Sequence, residues 1–121
     1  GGVYCDNTTS SVINNSIIWG NTAGCAAVDA DFYAGPNTNV TLWYCDVGGH
    51  GGSNGNIDAD PKFVDSTWYR LKYLGPPTPL SPCIEAGDSG YGPPSVDFEV
   101  DGRPYPVNGY FDIGWDEVVG Y

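Results

Sequence analysis

The chain has 121 residues, which is enough for one domain and too short for two ordinary ones. Eighteen glycines and ten prolines exclude long helices, because both residues break helix interiors, while 14% aromatic residues argue against a disordered chain. A net charge of −11 argues against nucleic acid and anionic membrane surfaces as partners, and no apolar run is long enough to predict a membrane span.

The first part of the chain predicts short β-strands separated by polar turns. Residues 3–5 are one candidate, and residues 11–19 are a second, interrupted near two asparagines. The pattern returns with an offset of 29 residues, which aligns Tyr4 with Tyr33, Ile13 with Leu42 and Ile18 with Val47. A period of about 20 to 50 residues is typical of a solenoid, in which residues 25–31 would be an insertion at one corner.

The second half predicts further strands at residues 62–64 and 69–73, after a glycine-rich loop at 48–55. A glycine- and proline-rich segment at 86–109 precedes the closing run at 110–115. Alternating burial along stacked strands predicts an inward-facing ladder. Its members are Ile13, Ile18, Leu42, Val47, Phe63 and Leu71.

A family resemblance is carried by several runs of this sequence. One coil of the right-handed parallel β-helix proteins of the pectate-lyase-like superfamily resembles GGVYCDNTTSSVINNSIIWGNTA. The last coil and C-terminal cap of secreted bacterial β-helix proteins resemble VTLWYCDVGG, GNIDADPKFVD, YRLK, SPCIEAGD and DIGWDE, taken in that order. Two residues depart from the family pattern: Glu85 stands where an aspartate is common, and Trp115 stands where a small residue is common.

The resemblance implies an all-β fold in one domain, residues 1–121. Residues 1–85 are expected to form a short right-handed parallel β-helix of about three coils, stacked as in other solenoids. Residues 86–121 are expected to form an irregular Gly/Pro-rich C-terminal cap. Most such proteins have unknown or structural extracellular roles, and only some cleave polysaccharide.

The cysteines predict disulfides rather than a zinc site. They are Cys5, Cys25, Cys45 and Cys83. None forms a Cys-x-x-Cys pair, and the chain has a single histidine, which argues against structural zinc. An even count fits disulfides in an oxidising compartment. We favour Cys5–Cys25 and Cys45–Cys83, because each closes a moderate loop; four buried free thiols are the alternative.

Three Asn-x-Ser/Thr sequons predict glycosylation, provided that the chain enters an export pathway that glycosylates. They lie at Asn7, Asn14 and Asn39. Together with the cysteines and the resemblance, they favour an extracellular, secreted or cell-surface location.

Paired aspartates predict calcium as a cofactor. The first 61 residues contain six aspartates and no base. Asp58 and Asp60 are two positions apart in an extended segment, which places both carboxylates on one side, and Asp29 and Asp31 repeat that spacing. Oxygen-rich sites of this kind suit calcium. A solvated acidic turn is the alternative.

A structural role is the function that the sequence favours. An open coil exposes unpaired backbone and apolar side chains, and repeat proteins normally cover both ends. We therefore expect the first coil to be covered by a copy of the same chain, stacked head to tail into a fibre or surface layer. The alternative is that the chain is a fragment of a longer β-helix.

Carbohydrate binding is the alternative function, because exposed aromatic faces stack on sugar rings. The candidates are Trp19, Trp43 and Trp68. An exposed aromatic row would favour binding, whereas buried aromatics would favour a purely structural role. No catalytic residues are predicted: a hydrolase needs paired carboxylates at a set separation, and a lyase could draw only on Arg70, Lys72 or Lys62 beside Asp58 and Asp60.

Overall fold

The fold is described from a computed structural model, which covers residues 2–7, 10–24, 30–73, 80–91, 94–105 and 109–118. Within these ranges the regular elements are β1 (Val3–Cys5), β2 (Ser10–Asn14), β3 (Ile17–Ile18), β4 (Phe32–Ala34), β5 (Asn39–Trp43), β6 (Asp46–Val47) and a 3-10 helix (Ser89–Tyr91). Regular structure is thus nearly all strand, which confirms the all-β prediction. In the part of the chain described, no helix is long and apolar enough to cross a bilayer.

The six strands form three parallel pairs that share one register. β1 pairs with β4, β2 with β5 and β3 with β6. Tyr4 lies opposite Tyr33, Ile13 opposite Leu42 and Ile18 opposite Val47. All three sheets therefore have the 29-residue offset expected from the sequence, and the repeat is confirmed.

The pairing changes after β6. Ile57 forms a single parallel bridge to Asp46, and Phe63 pairs with Leu71 in an antiparallel bridge. The strands predicted at residues 62–64 and 69–73 are therefore not formed as such: the two segments meet only at this single antiparallel bridge and add no third parallel strand to the sheets. A tight connection of this kind returns the chain in the opposite direction, whereas parallel stacking needs a longer crossover.

The apolar core is divided into two clusters. The first fills the space between the three sheets and contains Ile18, Phe32, Leu42, Cys45 and Val47, with Val3, Ile13 and Val40 packed against it. The second joins β3 to the C-terminal half and contains Leu71, Cys83, Ile113 and Val118, with neighbours that include Ile17 and Phe63. Every residue of the predicted inward ladder packs in one of these clusters, so that prediction is confirmed.

One corner of the repeat has a left-handed backbone in both turns. Asn15 has φ 46° and Tyr44, 29 residues later, has φ 50°. Asparagine tolerates this conformation better than most residues. The Asn15 side chain also ties the corner to the C-terminal half, because its Nδ2 donates to the Asp88 carbonyl at 2.8 Å and its Oδ1 accepts from the Asp88 N–H at 2.9 Å.

Asn15→Ala is expected to lower the free energy of unfolding by about 2–4 kcal/mol, since two hydrogen bonds are lost and alanine is strained at positive φ. Asn15→Gly loses the same hydrogen bonds without the strain, so its loss should be smaller by about 1 kcal/mol. Urea denaturation of both variants measures the difference. If both variants lost the same free energy of unfolding, the positive φ at residue 15 would cause no strain in alanine.

Buried carboxylates hold the C-terminal half together. Arg103 Nε lies 3.0 Å from Glu117 Oε2, and these side chains are 3% and 0% exposed. Asp112 accepts hydrogen bonds from the backbone N–H groups of Glu85 and Val118, at 2.7 and 2.8 Å. Burial raises the pKa of Asp112 to about 7, and the nearby Glu117 carboxylate adds to that rise. These contacts connect parts of the chain that have little regular structure of their own.

Candidate functional site

Three aromatic rings form a continuous stack on the surface, which we call the aromatic stack. The Trp68 and Phe98 ring centroids are 6.1 Å apart at an interplanar angle of 11°, and those of Phe98 and Trp115 are 4.2 Å apart at 12°. Trp115 Nε1 donates to the Trp68 backbone carbonyl at 3.1 Å, which holds the Trp115 indole against the turn that carries Trp68. Trp68 is 53% exposed and Trp115 is 47% exposed, so the stack faces solvent.

An aspartate fixes the turn that carries Trp68. Asp65 Oδ1 accepts hydrogen bonds from the backbone N–H groups of Thr67 and Trp68, at 2.9 and 2.6 Å. Its Oδ2 lies 3.2 Å from Arg70 Nε. Hydrogen bonding, led by the Trp68 N–H, lowers the pKa of Asp65, so the carboxylate stays ionised and the turn stays closed at neutral pH.

Two other aspartates adjoin Phe98 and Trp115 in the sequence and hold their segments in different ways. Asp97 Oδ1 accepts from the N–H groups of Glu99 and Asp101, at 2.8 and 2.9 Å, and so closes the turn around Phe98. Asp116 follows Trp115 directly, and its Oδ2 accepts from the Leu71 N–H at 2.9 Å. The stack is thus assembled from three distant segments, each held by its own carboxylate.

A depression of about 330 Å³ lies beside the stack. It is lined by Trp68, Phe98, Arg70 and Glu99, which supply two aromatic rings, a guanidinium group and a carboxylate. These groups can contact an apolar surface and can both donate and accept hydrogen bonds.

A larger groove of about 720 Å³ lies beside β3, lined by residues of the first repeat and of the C-terminal half. Its lining residues are Gly2, Val3, Asn15, Ser16, Ile17, Ile18, Trp19, Asn21, Phe63, Tyr69, Gly114 and Trp115. None of them is charged, although the chain as a whole has a net charge of −11. Trp115 belongs to both the groove and the aromatic stack.

The three predicted sugar-stacking tryptophans lie in different places. Trp68 is part of the exposed stack, and Trp19 lines the groove. Trp43 is half-buried and stacks on Tyr91, with centroids 5.8 Å apart at 30°. Phe98 and Trp115 were not among the sugar-stacking candidates predicted from the sequence. Trp115 was noted only as a departure from the pattern of the family that the sequence resembles.

The predicted calcium ligands do not converge in the part of the chain described. No group of three or more histidine, cysteine, aspartate or glutamate side chains is placed there to hold a metal ion. Asp58 and Asp60 are exposed, and Asp60 accepts from the Lys62 N–H at 2.9 Å. Asp31 accepts from the Asn21 backbone and side chain, at 2.7 and 2.9 Å. Asp29 lies outside the described residues, and calcium binding stays a prediction.

The predicted Cys45–Cys83 disulfide is not formed, and this part of the prediction is corrected. Both residues are buried free thiols, and they belong to different core clusters. Cys83 Sγ donates to Asp46 Oδ2 at 3.1 Å, while Cys45 Sγ lies 3.3 Å from the Trp43 carbonyl oxygen. Burial raises the pKa of both thiols, which keeps them protonated. Cys5 is also a free thiol, and its predicted partner Cys25 lies outside the described residues.

The sequons, the histidine His50 and the lysine Lys62, which was considered for a lyase, lie in different parts of the described structure. Asn7 and Asn39 are exposed, whereas Asn14 is half-buried at the end of β2. His50 packs edge-on against Phe32, with centroids 5.1 Å apart. Lys62 Nζ donates to the Leu80 carbonyl at 3.3 Å. Glycosylation stays a prediction.

Comparison of the chain with protein families, with curated proteins and with solved structures finds no match.

Proposed function

We propose that this chain is a non-enzymatic extracellular structural module, built as the end of a right-handed parallel β-helix, which assembles end to end through its first turn. The observation that carries the proposal is the common 29-residue register of the three parallel pairs. One register in three successive sheets is what stacked turns of a solenoid require. Crossovers between parallel strands are nearly always right-handed, which supports that hand for the coil.

The first turn offers open sheet edges. Within the described residues, β1, β2 and β3 each pair with a single strand, so each has one edge that is not hydrogen-bonded to another strand. Such an edge is a template for another strand. In the second repeat, which contains β4, β5 and β6, the Asn56 side chain occupies backbone groups that a further strand would bond. Its Nδ2 donates to the Leu42 carbonyl and its Oδ1 accepts from the Cys45 N–H, both at 2.9 Å.

Charge supports self-association at the same end. The groove beside β3 is lined by uncharged residues. Two copies with a net charge of −11 each repel one another over most of their surfaces, and they can meet at this face without bringing like charges together. The open edges and the uncharged groove therefore point to one contact face.

The edge arrangement also bears on the form of the assembly. The head-to-tail fibre expected from the sequence needs an open edge at both ends. Asn56 and Ile57 cover β5 and β6, two of the three strands of the second repeat, so we favour two copies joined through their first turns over an open fibre. Such a pair would be isologous and closed.

The test is sedimentation of the purified chain over a concentration series, with electron microscopy of the assembled fraction. We expect concentration-dependent association of the wild type. Ser16→Lys, which adds a charge to the groove, should reduce association by at least about tenfold, because a lysine must be desolvated there. The matched control is Ser66→Lys, at an exposed turn outside the groove, which should associate like the wild type.

Two results would contradict the proposal. One is a chain that stays monomeric at every concentration, and the other is Ser16→Lys that associates as well as Ser66→Lys. Regular filaments by electron microscopy would support assembly and would correct its form from a closed pair to a fibre.

A further inference from the structure

We propose that the depression beside the aromatic stack, lined by Trp68, Phe98, Arg70 and Glu99, binds a neutral hexopyranose unit of a polysaccharide. None of these four residues lines the groove used for the proposed assembly. The inference is therefore independent of the proposed function, and the two can fail separately.

The apolar part of the depression matches one face of a sugar ring. A pyranose with equatorial hydroxyl groups presents a flat face of C–H groups, which packs on an aromatic ring. Trp68 and Phe98 offer two nearly parallel rings, inclined by 11°. Such a surface normally collapses or is covered in a soluble protein, but Trp68 stays 53% exposed here.

The stack is held in place before any ligand arrives. Asp65 and Asp97 close the turns that carry Trp68 and Phe98, Asp116 ties the segment of Trp115 to Leu71, and the Trp115 indole is bonded to the Trp68 carbonyl. A site whose side chains are already fixed loses little conformational entropy when it binds.

The polar part of the depression selects a neutral ligand. Arg70 is paired with Asp65 at 3.2 Å, and Glu99, which also lines the depression, contributes an exposed carboxylate. The guanidinium group can donate to a hydroxyl oxygen, and the carboxylate can accept from a hydroxyl group. A uronate polymer would instead approach a chain with a net charge of −11 and would meet repulsion. Charge complementarity therefore favours a neutral glycan.

The experiment is native affinity electrophoresis of the full chain in gels that contain a soluble neutral polysaccharide. The panel is hydroxyethylcellulose, xylan and galactomannan, and polygalacturonate is the anionic comparison. We expect at least one neutral polysaccharide to retard the wild type and polygalacturonate not to. Trp68→Ala should weaken the retardation by about tenfold or more, since the ring supplies most of the apolar contact.

Trp43→Ala is the matched control, because it also removes a stacked indole but lies outside the depression. It should be retarded like the wild type.

If Trp68→Ala does not fold, Glu99→Gln replaces it, because this exposed side chain can change without disturbing the core and should still weaken binding. No retardation by any neutral polysaccharide, preferential retardation by polygalacturonate, or equal effects of Trp68→Ala and Trp43→Ala would overturn the proposal. The proposal would also be overturned if the wild type bound no polysaccharide and Trp68→Ala instead lost self-association.

Discussion

Arg103→Met is expected to lower the free energy of unfolding by about 3–5 kcal/mol, because it leaves the Glu117 carboxylate buried without its charge partner. The two side chains are 3% and 0% exposed, and the Nε–Oε2 distance is 3.0 Å. Arg103 Nη2 also donates to the Asp112 and Gly114 carbonyls, at 2.9 and 3.2 Å. The substitution therefore removes a charge and three hydrogen bonds from the interior of the C-terminal half.

Arg70→Met is the matched control, since it removes the same type of side chain from an ion pair at the surface. Arg70 Nε and Asp65 Oδ2 are 3.2 Å apart, but these side chains are 46% and 28% exposed. An exposed pair is worth about 0–1 kcal/mol. Urea denaturation of both variants gives the comparison. A cost for Arg103→Met no larger than that for Arg70→Met would mean that burial of the Arg103–Glu117 pair does not determine stability.

Stability is expected to fall as the pH rises from about 4 to about 7. Burial raises the pKa of Asp112 to about 7 from its ordinary value of 3.8. The folded state therefore binds a proton more tightly than the unfolded state, so protonation of Asp112 stabilises the fold below this range, and the stabilisation is lost as Asp112 ionises. A shift of about three units corresponds to a difference of about 4 kcal/mol. Burial also raises the pKa of Asp46 and Asp116, which acts in the same direction.

Asp112→Asn tests this assignment, because asparagine has the same shape and does not titrate. Asparagine has one acceptor oxygen where Asp112 accepts from both Glu85 and Val118, so the variant should be less stable than the wild type at pH of about 5. Its stability should nevertheless change less between pH of about 5 and about 8. Urea denaturation at both pH values measures how the free energy of unfolding of each protein changes with pH. Equal slopes for the variant and the wild type would assign the pH dependence to other groups.

The repeat was predictable because its signal is local and periodic. Alternation along β2 and β5, and the return of similar residues after 29 positions, are properties of the sequence alone. Parallel stacking then follows, because equivalent strands bury equivalent faces. The inward ladder could be selected for the same reason, and all of its members pack in the core.

The aromatic stack could be predicted only in part. Trp68 was a candidate for stacking on a sugar ring, and Trp115 departed from the pattern of the family that the sequence resembles. The sequence could not bring them together with Phe98, because the three residues lie on turns about 20 to 50 positions apart without regular secondary structure to set their distances. Asp65, Asp97 and Asp116, which hold these segments, were not singled out from the sequence.

The sequence by itself determined the strand-based fold class, the period of the repeat and the side chains that face inward, since these depend on local alternation and composition. Only the tertiary structure decided which polar and reactive groups are buried and which partners they contact. It separated Cys45 from Cys83 by placing them in different clusters, and it buried Arg103 against Glu117. The physical reason is that free thiols, buried ion pairs and stacked rings depend on contacts between distant segments, whose geometry is fixed when the irregular C-terminal half packs against the paired strands.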